Sequence, residues 1–319
     1  MQVDAYIVTS DRVLAPVEAR EMSDDWFLDD AVRWIKITSA MPQEVERALA
    51  PLELHPRIVQ ACAHPQPPQI EALEKVLFMV MPLWTPDAAA VSAVRFVAVA
   101  KTLITIQDAP VAVLDEQAER LRGEQRLYEP GTAALTLDLA RAMLTSLRSR
   151  YLTLRNDVEA TAEVLERTPG DVGADDLLAL KRRATRLANI LEDYLFCLVG
   201  LEEARSETLR FDAVRTAYGE LVRDVQRAQK LAARTEDRIR DLRQSSSNYL
   251  QESTNRRLNA LAALSAPYLP STLIAGIYGM NFDNIPIMQL PYGYVIVLAL
   301  MIGLVVGQIW FFYRRGYFR

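Results

Sequence analysis

The sequence predicts an α+β membrane protein with an N-terminal α/β domain. A long stalk helix follows and runs on into a membrane-spanning helix, with a second span behind it. Three observations carry this expectation. From Leu258 to Phe282, and again from Ile285 to Tyr313, the chain has no Asp, Glu, Lys, Arg or His. Each run is about 25 residues or longer, against the roughly 20 that a helix needs to cross a bilayer core. Uncharged runs of that length rarely lie side by side in a soluble domain. Upstream, Val214, Tyr218, Leu221, Val225, Ala228, Ala232, Thr235, Ile239, Leu242, Ser246 and Tyr249 recur in alternating steps of four and three. That 3.5-residue repeat marks a long supercoiled or bundled helix. Residues 1–111, by contrast, mix short β-rich runs with one or two helices.

Taken in order, AYIVTSDRVLA reads as a strand pair and VRWIKIT as a single strand. PQEVERALAPL is a short helix, and IEALEKVLFMVMPLW runs from a polar start into one apolar strand. SAVRFVAVAKTLITIQ is a hairpin turning near Lys101. Residues 112–206 form a helical region, with helices near 112–126, 132–167 and 174–204 separated by the breakers YEPGT and TPGDVGADD. The stalk helix occupies 207–257, starting near Glu207, with no Pro or terminating Gly between Gly219 and Pro267. Its heptad positions are expected to line a symmetric stalk. The first span is 258–282, the loop 283–291, the second span 292–313 and a basic tail 314–319.

Flanking charge sets the orientation. Arg256 and Arg257 precede the first span; Arg314, Arg315 and Arg319 follow the second, and the loop between has no basic residue. Positively charged flanks stay in the cytoplasm, so both termini are expected inside and the loop outside. MQVDAYIVTSDRV has no basic stretch followed by an apolar one, so no signal peptide is expected there. Cys62 and Cys197 then lie in a reducing compartment and need no disulfide. A net charge of −5 offers no basic footprint for nucleic acid.

Carried into the first span, the step count is read through Asn255, Leu258, Ala262, Ser265, Leu269, Thr272, Gly276 and Gly279. This face gathers Asn, Ser, Thr and two Gly, while the opposite face (Ala260, Leu264, Pro267, Ile274, Tyr278) is greasier. Two readings fit. Small residues let membrane helices pack closely, or the face lines a pore together with copies of the same helix. One helix cannot enclose a hole, so the second reading demands an oligomer.

Tyr278-Gly279-Met280-Asn281, at the outer end of the first of two C-terminal spans, resembles the signature of the CorA family of divalent-cation channels. The likeness extends through Thr254-Asn255, Pro270, Thr272 and AGIYGMNF, and on to Pro286, Tyr292-Gly293-Tyr294 and the terminal YRRGYF. It also covers LHPRIVQACAHPQPPQIEALEKVLFMVMPLW and KTLITIQDAP in the N-terminal half. The resemblance implies a homopentameric funnel: a cytoplasmic α/β domain, a stalk helix continuing as the inner pore helix, and an outer ring of second spans. The implied partners are further copies of the chain, membrane lipid and divalent ions such as Mg²⁺. The ion is cargo and a candidate regulator, and no other cofactor is expected. Residues implied at the pore are Asn281, Gly279, Met280, Gly276, Thr272, Leu269, Ser265, Leu258 and Asn255.

Asn281 and Gly279 have a chemical rationale at such a mouth, and Thr272 completes the expected ion-facing set. Mg²⁺ gives up water reluctantly, so a ring of neutral amide oxygens can hydrogen-bond its hydration shell without stripping it. A carboxylate ring would hold the ion more tightly and slow its exit. Asn281 would also serve as a helix C-cap. Uptake needs no fuel, because a divalent cation moving inward across 100 mV gains about 4.6 kcal/mol. The chain has no G-x-x-x-x-G-K-[ST] phosphate loop and no intramembrane carboxylate or histidine for a proton relay.

Several positions depart from the family pattern. Ile285-Pro286-Ile287 stands where the common magnesium-transporting members carry Met-Pro-Glu, and Leu258 and Leu269 stand for the inner-pore methionines. Gln60-Ala61 replaces an acidic pair, and a Tyr- and Asp-rich stalk motif is reduced to Tyr218-Gly219-Glu220. Only Glu220 is left there as a regulatory metal ligand. The zinc-transporting ZntB branch is therefore the alternative, or a non-conducting sensor of the same fold. Elsewhere, His55, Cys62 and His64 have poor spacing for a soft-metal site. The acids Glu159, Glu163, Glu166, Asp171, Asp175 and Asp176 read as a solvated helix-hairpin tip. No Ser/His/Asp or Cys/His arrangement suggests an enzyme.

Overall fold

The computed structural model describes residues 1–17, 31–73, 76–84, 93–99, 101–123, 125–203, 211–280 and 290–314. They fall into two compact units, residues 1–164 with 173–241, and residues 165–172 with 242–319. The first is built on a seven-stranded sheet: β1 (Gln2–Val8), β2 (Leu14–Val17), β3 (Arg33–Thr38), β4 (Gln69–Leu73), β5 (Val76–Pro82), β6 (Ala93–Val99) and β7 (Thr102–Gln107), in the order β2-β1-β3-β7-β6-β5-β4. Every neighbouring pair is antiparallel except β3 and β7, where Ile35 lies opposite Ile104. A parallel pair needs a long crossover. Here the crossover contains α1 (Pro42–Leu49), α2 (Pro56–Ala63) and the β4–β5–β6 meander.

The central strands are covered on both faces, which is why they read as near-continuous apolar runs. Ile35, Ile37, Phe78, Val80, Val97, Ile104 and Ile106 pack with Val45 and Leu49 of α1 and Ile58 and Cys62 of α2. The alternate residues Trp34, Met79, Met81, Phe96 and Leu103 are buried as well. There the Trp34 indole N–H donates to Thr105 Oγ1 at 2.9 Å, and the Cys197 thiol donates to the Val80 carbonyl at 3.2 Å. Alternation in β3 therefore does not separate core from solvent. Lys36 is buried, with Nζ 2.8 Å from Asp4 and a hydrogen bond to Asp115. Burial pulls the Lys36 pKa down, but the bonds to Asp115 and Asp4 outweigh it and hold it above the ordinary lysine value.

Two sequence expectations change in this region. IEALEKVLFMVMPLW holds two strands, not one: β4 and β5 pair antiparallel, with Leu73 opposite Val76. The polar start is an edge strand, which needs only partial burial. The second is the place of α2, one of the one or two helices expected in this region but not located in the sequence. Its signal is His55-Pro56: Pro is pre-organised for the first helical position, and His55 Nδ1 accepts the Arg57 N–H at 3.2 Å.

The helices α3 (Ala112–Gly123), α4 (Thr132–Arg167) and α5 (Ala174–Glu203) match expectation closely, and α5 packs on β4 and β5. A Cβ on Gly200 would lie 2.3 Å from Ile70 Cγ2, so the bare glycine permits this approach to β4. After a short 3₁₀ turn (Phe211–Val214), α6 runs from Arg215 to Ser265. The expected start near Glu207 lies outside the described residues. Cross-helix bonds tie α4, α5 and α6 into an antiparallel bundle: Arg183–Asp157 at 2.6 Å, Thr185–Glu236 at 2.9 Å, Gln229 to the Leu191 carbonyl at 3.2 Å and Tyr218 to the Leu198 carbonyl at 3.0 Å.

This bundle takes up the heptad seam that was expected to line a symmetric stalk. Val214, Tyr218, Leu221, Val225, Ala232, Thr235, Ile239, Leu242 and Ser246 are all buried within a single chain. The 3.5-residue repeat is the packing seam of α6 on its own chain. Only Tyr249, at its end, is exposed.

Candidate functional site

The apolar helices follow from the charge-free runs. α6 ends at Ser265, and α7 (Tyr268–Tyr278) continues it after a break at Ala266 and Pro267. Proline has no N–H to donate and crowds the carbonyl four residues back, which interrupts the helix where the sequence reading had it unbroken. α8 (Gly293–Arg314) packs against α7. Both runs are long and apolar enough to cross a membrane, and only 18% and 0% of their apolar windows are buried. That exposure separates them from the core helices of a soluble protein. Tyr292 and Tyr294 sit exposed at one end of α8; at the other, the Arg314 guanidinium lies 5.3 Å from the Trp310 ring centroid. Aromatic and basic side chains at both ends are typical membrane-interface anchors.

The first span has two faces. Asn255, Leu258, Ala262, Ser265, Leu269, Thr272, Gly276 and Gly279 are exposed without exception. Ala263 and Pro267 are buried, and Pro270, Ser271, Ile274 and Tyr278 are half-buried. Counting the steps of four and three onward from Tyr249 gives residues 253, 256, 260, 263, 267, 270 and 274; Arg256 and Ala260 are exposed, and from Ala263 onward the count falls in the buried stripe. The exposed stripe is offset from it by two residues, about 200° around the helix. The sequence reading joined the two stripes as one seam, and burial separates them. Run upstream in its own register, the exposed stripe reaches Gln251, Asn248 and Gln244, all exposed. The Gln244 amide donates to Asn248 Oδ1 at 2.8 Å. These three amides were missed, although the same step count identifies them.

Local hydrogen bonding shapes the stripe's outer end. Thr272 Oγ1 donates to the Tyr268 carbonyl at 2.7 Å, which leaves its lone pairs free to accept. The Gly279 N–H bonds the Ala275 carbonyl at 2.9 Å, and the Met280 N–H bonds the Ile277 carbonyl at 3.3 Å, tightening the last turn. A Cβ on Gly279 would meet the Ala275 oxygen at 3.1 Å and crowd that turn. A helix C-terminus carries roughly half a negative charge, so this end favours a cation. Met280 is exposed. Asn281 lies outside the described residues, as do 283–289 of the loop and 315–319 of the tail.

The remaining candidates are placed elsewhere. Glu220 is half-exposed on α6, its carboxylate 3.4 Å from Arg141 of α4. Cys62 is fully buried and His55 caps α2, so the residues weighed as a soft-metal site have packing and capping roles. Among the described residues, no group of three or more His, Cys, Asp or Glu side chains could hold a metal ion.

Comparison with known proteins agrees with this architecture. The family model described as CorA-like Mg²⁺ transporter protein matches residues 29–314. The chain belongs to that family. It is 27% identical over 235 residues to the magnesium transport protein CorA of Haemophilus ducreyi, covering 72% of this chain and 73% of that one. The complete CorA magnesium transporter structure from Methanocaldococcus jannaschii superposes with a TM-score of 0.82 at 16% identity, over 99% of each chain. The ZntB cytoplasmic domain of Vibrio parahaemolyticus gives 0.66 at 9% identity, over 78% of this chain and 98% of that one. At such identities the likeness is one of fold. As a CorA-like protein the chain is a divalent-cation transporter and not an enzyme. It is an inner-membrane protein, with its N-terminal domain on the cytoplasmic side.

Proposed function

We propose that this CorA-like chain takes up Mg²⁺ through a pore built from five copies of its first span, with Gly279-Met280-Asn281 at the outer mouth. One observation carries the reading. The charge-free stripe from Asn255 to Gly279 is exposed along its whole length, while Ala263, Pro267, Pro270, Ser271, Ile274 and Tyr278 on the other side are buried or half-buried. A face of amides, hydroxyls and bare glycine backbone suits an ion that keeps its water. Leu258 and Leu269 on the same stripe supply the hydrophobic constriction. The membrane potential supplies about 4.6 kcal/mol per ion and 100 mV, enough to drive uptake.

Flux into reconstituted vesicles tests the reading, with Mg²⁺, Zn²⁺, Ni²⁺ and Co²⁺ each measured under an imposed inside-negative potential. Mg²⁺ entry that follows the potential is expected. Asn281→Ala removes an acceptor from every subunit and should lower it by about tenfold or more, beyond the roughly 1 kcal/mol of one hydrogen bond. Asn281→Asp should tighten binding and slow release. Hexaamminecobalt, a hydrated-ion mimic, should block from outside. Zn²⁺ carried in preference to Mg²⁺ would favour the ZntB-like alternative. No flux of any ion would favour a non-conducting sensor.

A further inference from the structure

A second feature of the α/β unit is unrelated to the ion pathway. α3 and α4 face each other across a cleft of about 430 Å³. On α4 the lining positions step by three and one from Asp138 to Arg150, and on α3 from Ala112 to Arg120, so each helix contributes one face. Three arginines line it: Arg120, Arg141 and Arg150. Arg141 is engaged by Glu220, whereas Arg120 and Arg150 form no ion pair among the described residues. The opposing acids are Glu116 and Asp138. Asp138 is already bonded by the Gln117 and Gln125 amides, at 2.6 and 2.9 Å. Burial holds its carboxyl above the usual range, against the lowering effect of those two amide bonds and of Arg141. Ser146 and Ser149 add hydroxyls on the same face of α4.

This cleft adjoins a more apolar cavity of about 300 Å³, and the two share Ala112, Val113, Ser146 and Arg150. Pro82, Leu83, Trp84, Met143 and Leu147 form much of its wall. Gln107 also lines it; its amide nitrogen donates to Thr38 at 2.8 Å, while its Oε1 is buried without a partner. A buried acceptor left unpaired costs about 1–3 kcal/mol. The combined space falls within the range usual for small-molecule sites.

We propose that these joined cavities bind a nucleoside polyphosphate, with its phosphates between Arg120 and Arg150 and its base in the apolar chamber. Guanidinium forks bind phosphate oxygens in pairs, and the serine hydroxyls supply further donors. An apolar chamber beside the arginines distinguishes such a ligand from inorganic phosphate, which has nothing to place there.

The test is isothermal titration of the full-length protein in detergent with ATP, pyrophosphate and adenosine. ATP is expected to bind saturably, with pyrophosphate and adenosine each weaker by tenfold or more. Both arginines are exposed, so the double substitution Arg120→Glu/Arg150→Glu leaves the core intact. It should weaken ATP at least tenfold without altering Mg²⁺ flux. Ser146→Phe, at the junction, should weaken ATP and spare pyrophosphate. Absence of ATP binding up to millimolar concentration overturns the proposal. So does pyrophosphate binding as tightly as ATP, or ATP affinity unmoved by the double substitution.

Discussion

Single cysteines placed along the first span test its two faces directly. Leu269 is 72% exposed, and Thr272 lies one step along the same stripe, whereas Ala263 is buried and Ile274 half-buried. The wild-type background is low for a structural reason. Burial pushes the Cys62 and Cys197 thiols up to about 12. At pH 7.5 a free cysteine of pKa about 8.5 is roughly one-tenth thiolate, whereas a thiol near 12 is ionised to about 3 parts in 100,000. Thiolate is the reacting species, so the native thiols should react about 3,000-fold more slowly before steric protection is counted. A cationic, membrane-impermeant methanethiosulfonate should therefore modify Leu269→Cys and Thr272→Cys in reconstituted protein, and flux should fall with the same time course. Ala263→Cys and Ile274→Cys should react about tenfold or more slowly, because a buried thiol meets neither water nor reagent. Equal rates at all four positions, or faster reaction at Ala263 and Ile274, would refute the two-faced helix and the pore assignment with it.

The same two thiols give an alkaline prediction. Their folded pKa lies above the unfolded value of 9, so above pH 9 the folded state retains protons that the unfolded chain releases. Stability should fall as pH rises from 9 to 12, by about 1 kcal/mol per thiol at pH 10, and Cys62→Ala should flatten the slope in thermal melts. Ile239→Ala opens a cavity inside the three-helix bundle, where the side chain is 1% exposed. A loss of about 2–5 kcal/mol is expected in denaturant unfolding; oligomer dissociation with an unchanged transition would restore the stalk-lining role. Glu220→Ala should relieve inhibition of flux by internal Mg²⁺ if this carboxylate is a regulatory ligand. Unchanged flux and inhibition would remove Glu220 from that role.

Features encoded by neighbouring residues were legible in the sequence. The two spans follow from uncharged runs, because each ionised side chain in hydrocarbon costs several kcal/mol whatever its neighbours are. The helix limits of α4 and α5 follow from Pro-Gly clusters, and the β6–β7 hairpin from its alternation about Lys101. Family membership was likewise readable from Gly279-Met280-Asn281 and its surroundings. What a periodic stripe packs against was not legible, since periodicity marks an apolar face without naming its partner. The repeat from Val214 to Ser246 could serve a symmetric stalk or an intrachain bundle, and only α4 and α5 lying beside it decided for the bundle. The same holds for Lys36, whose place in β3 reads as solvent-facing until Asp4 and Asp115 close over it. Two stripes on one membrane helix, set two residues apart, look alike in composition; burial tells them apart, because contact between distant segments exists only in the folded chain.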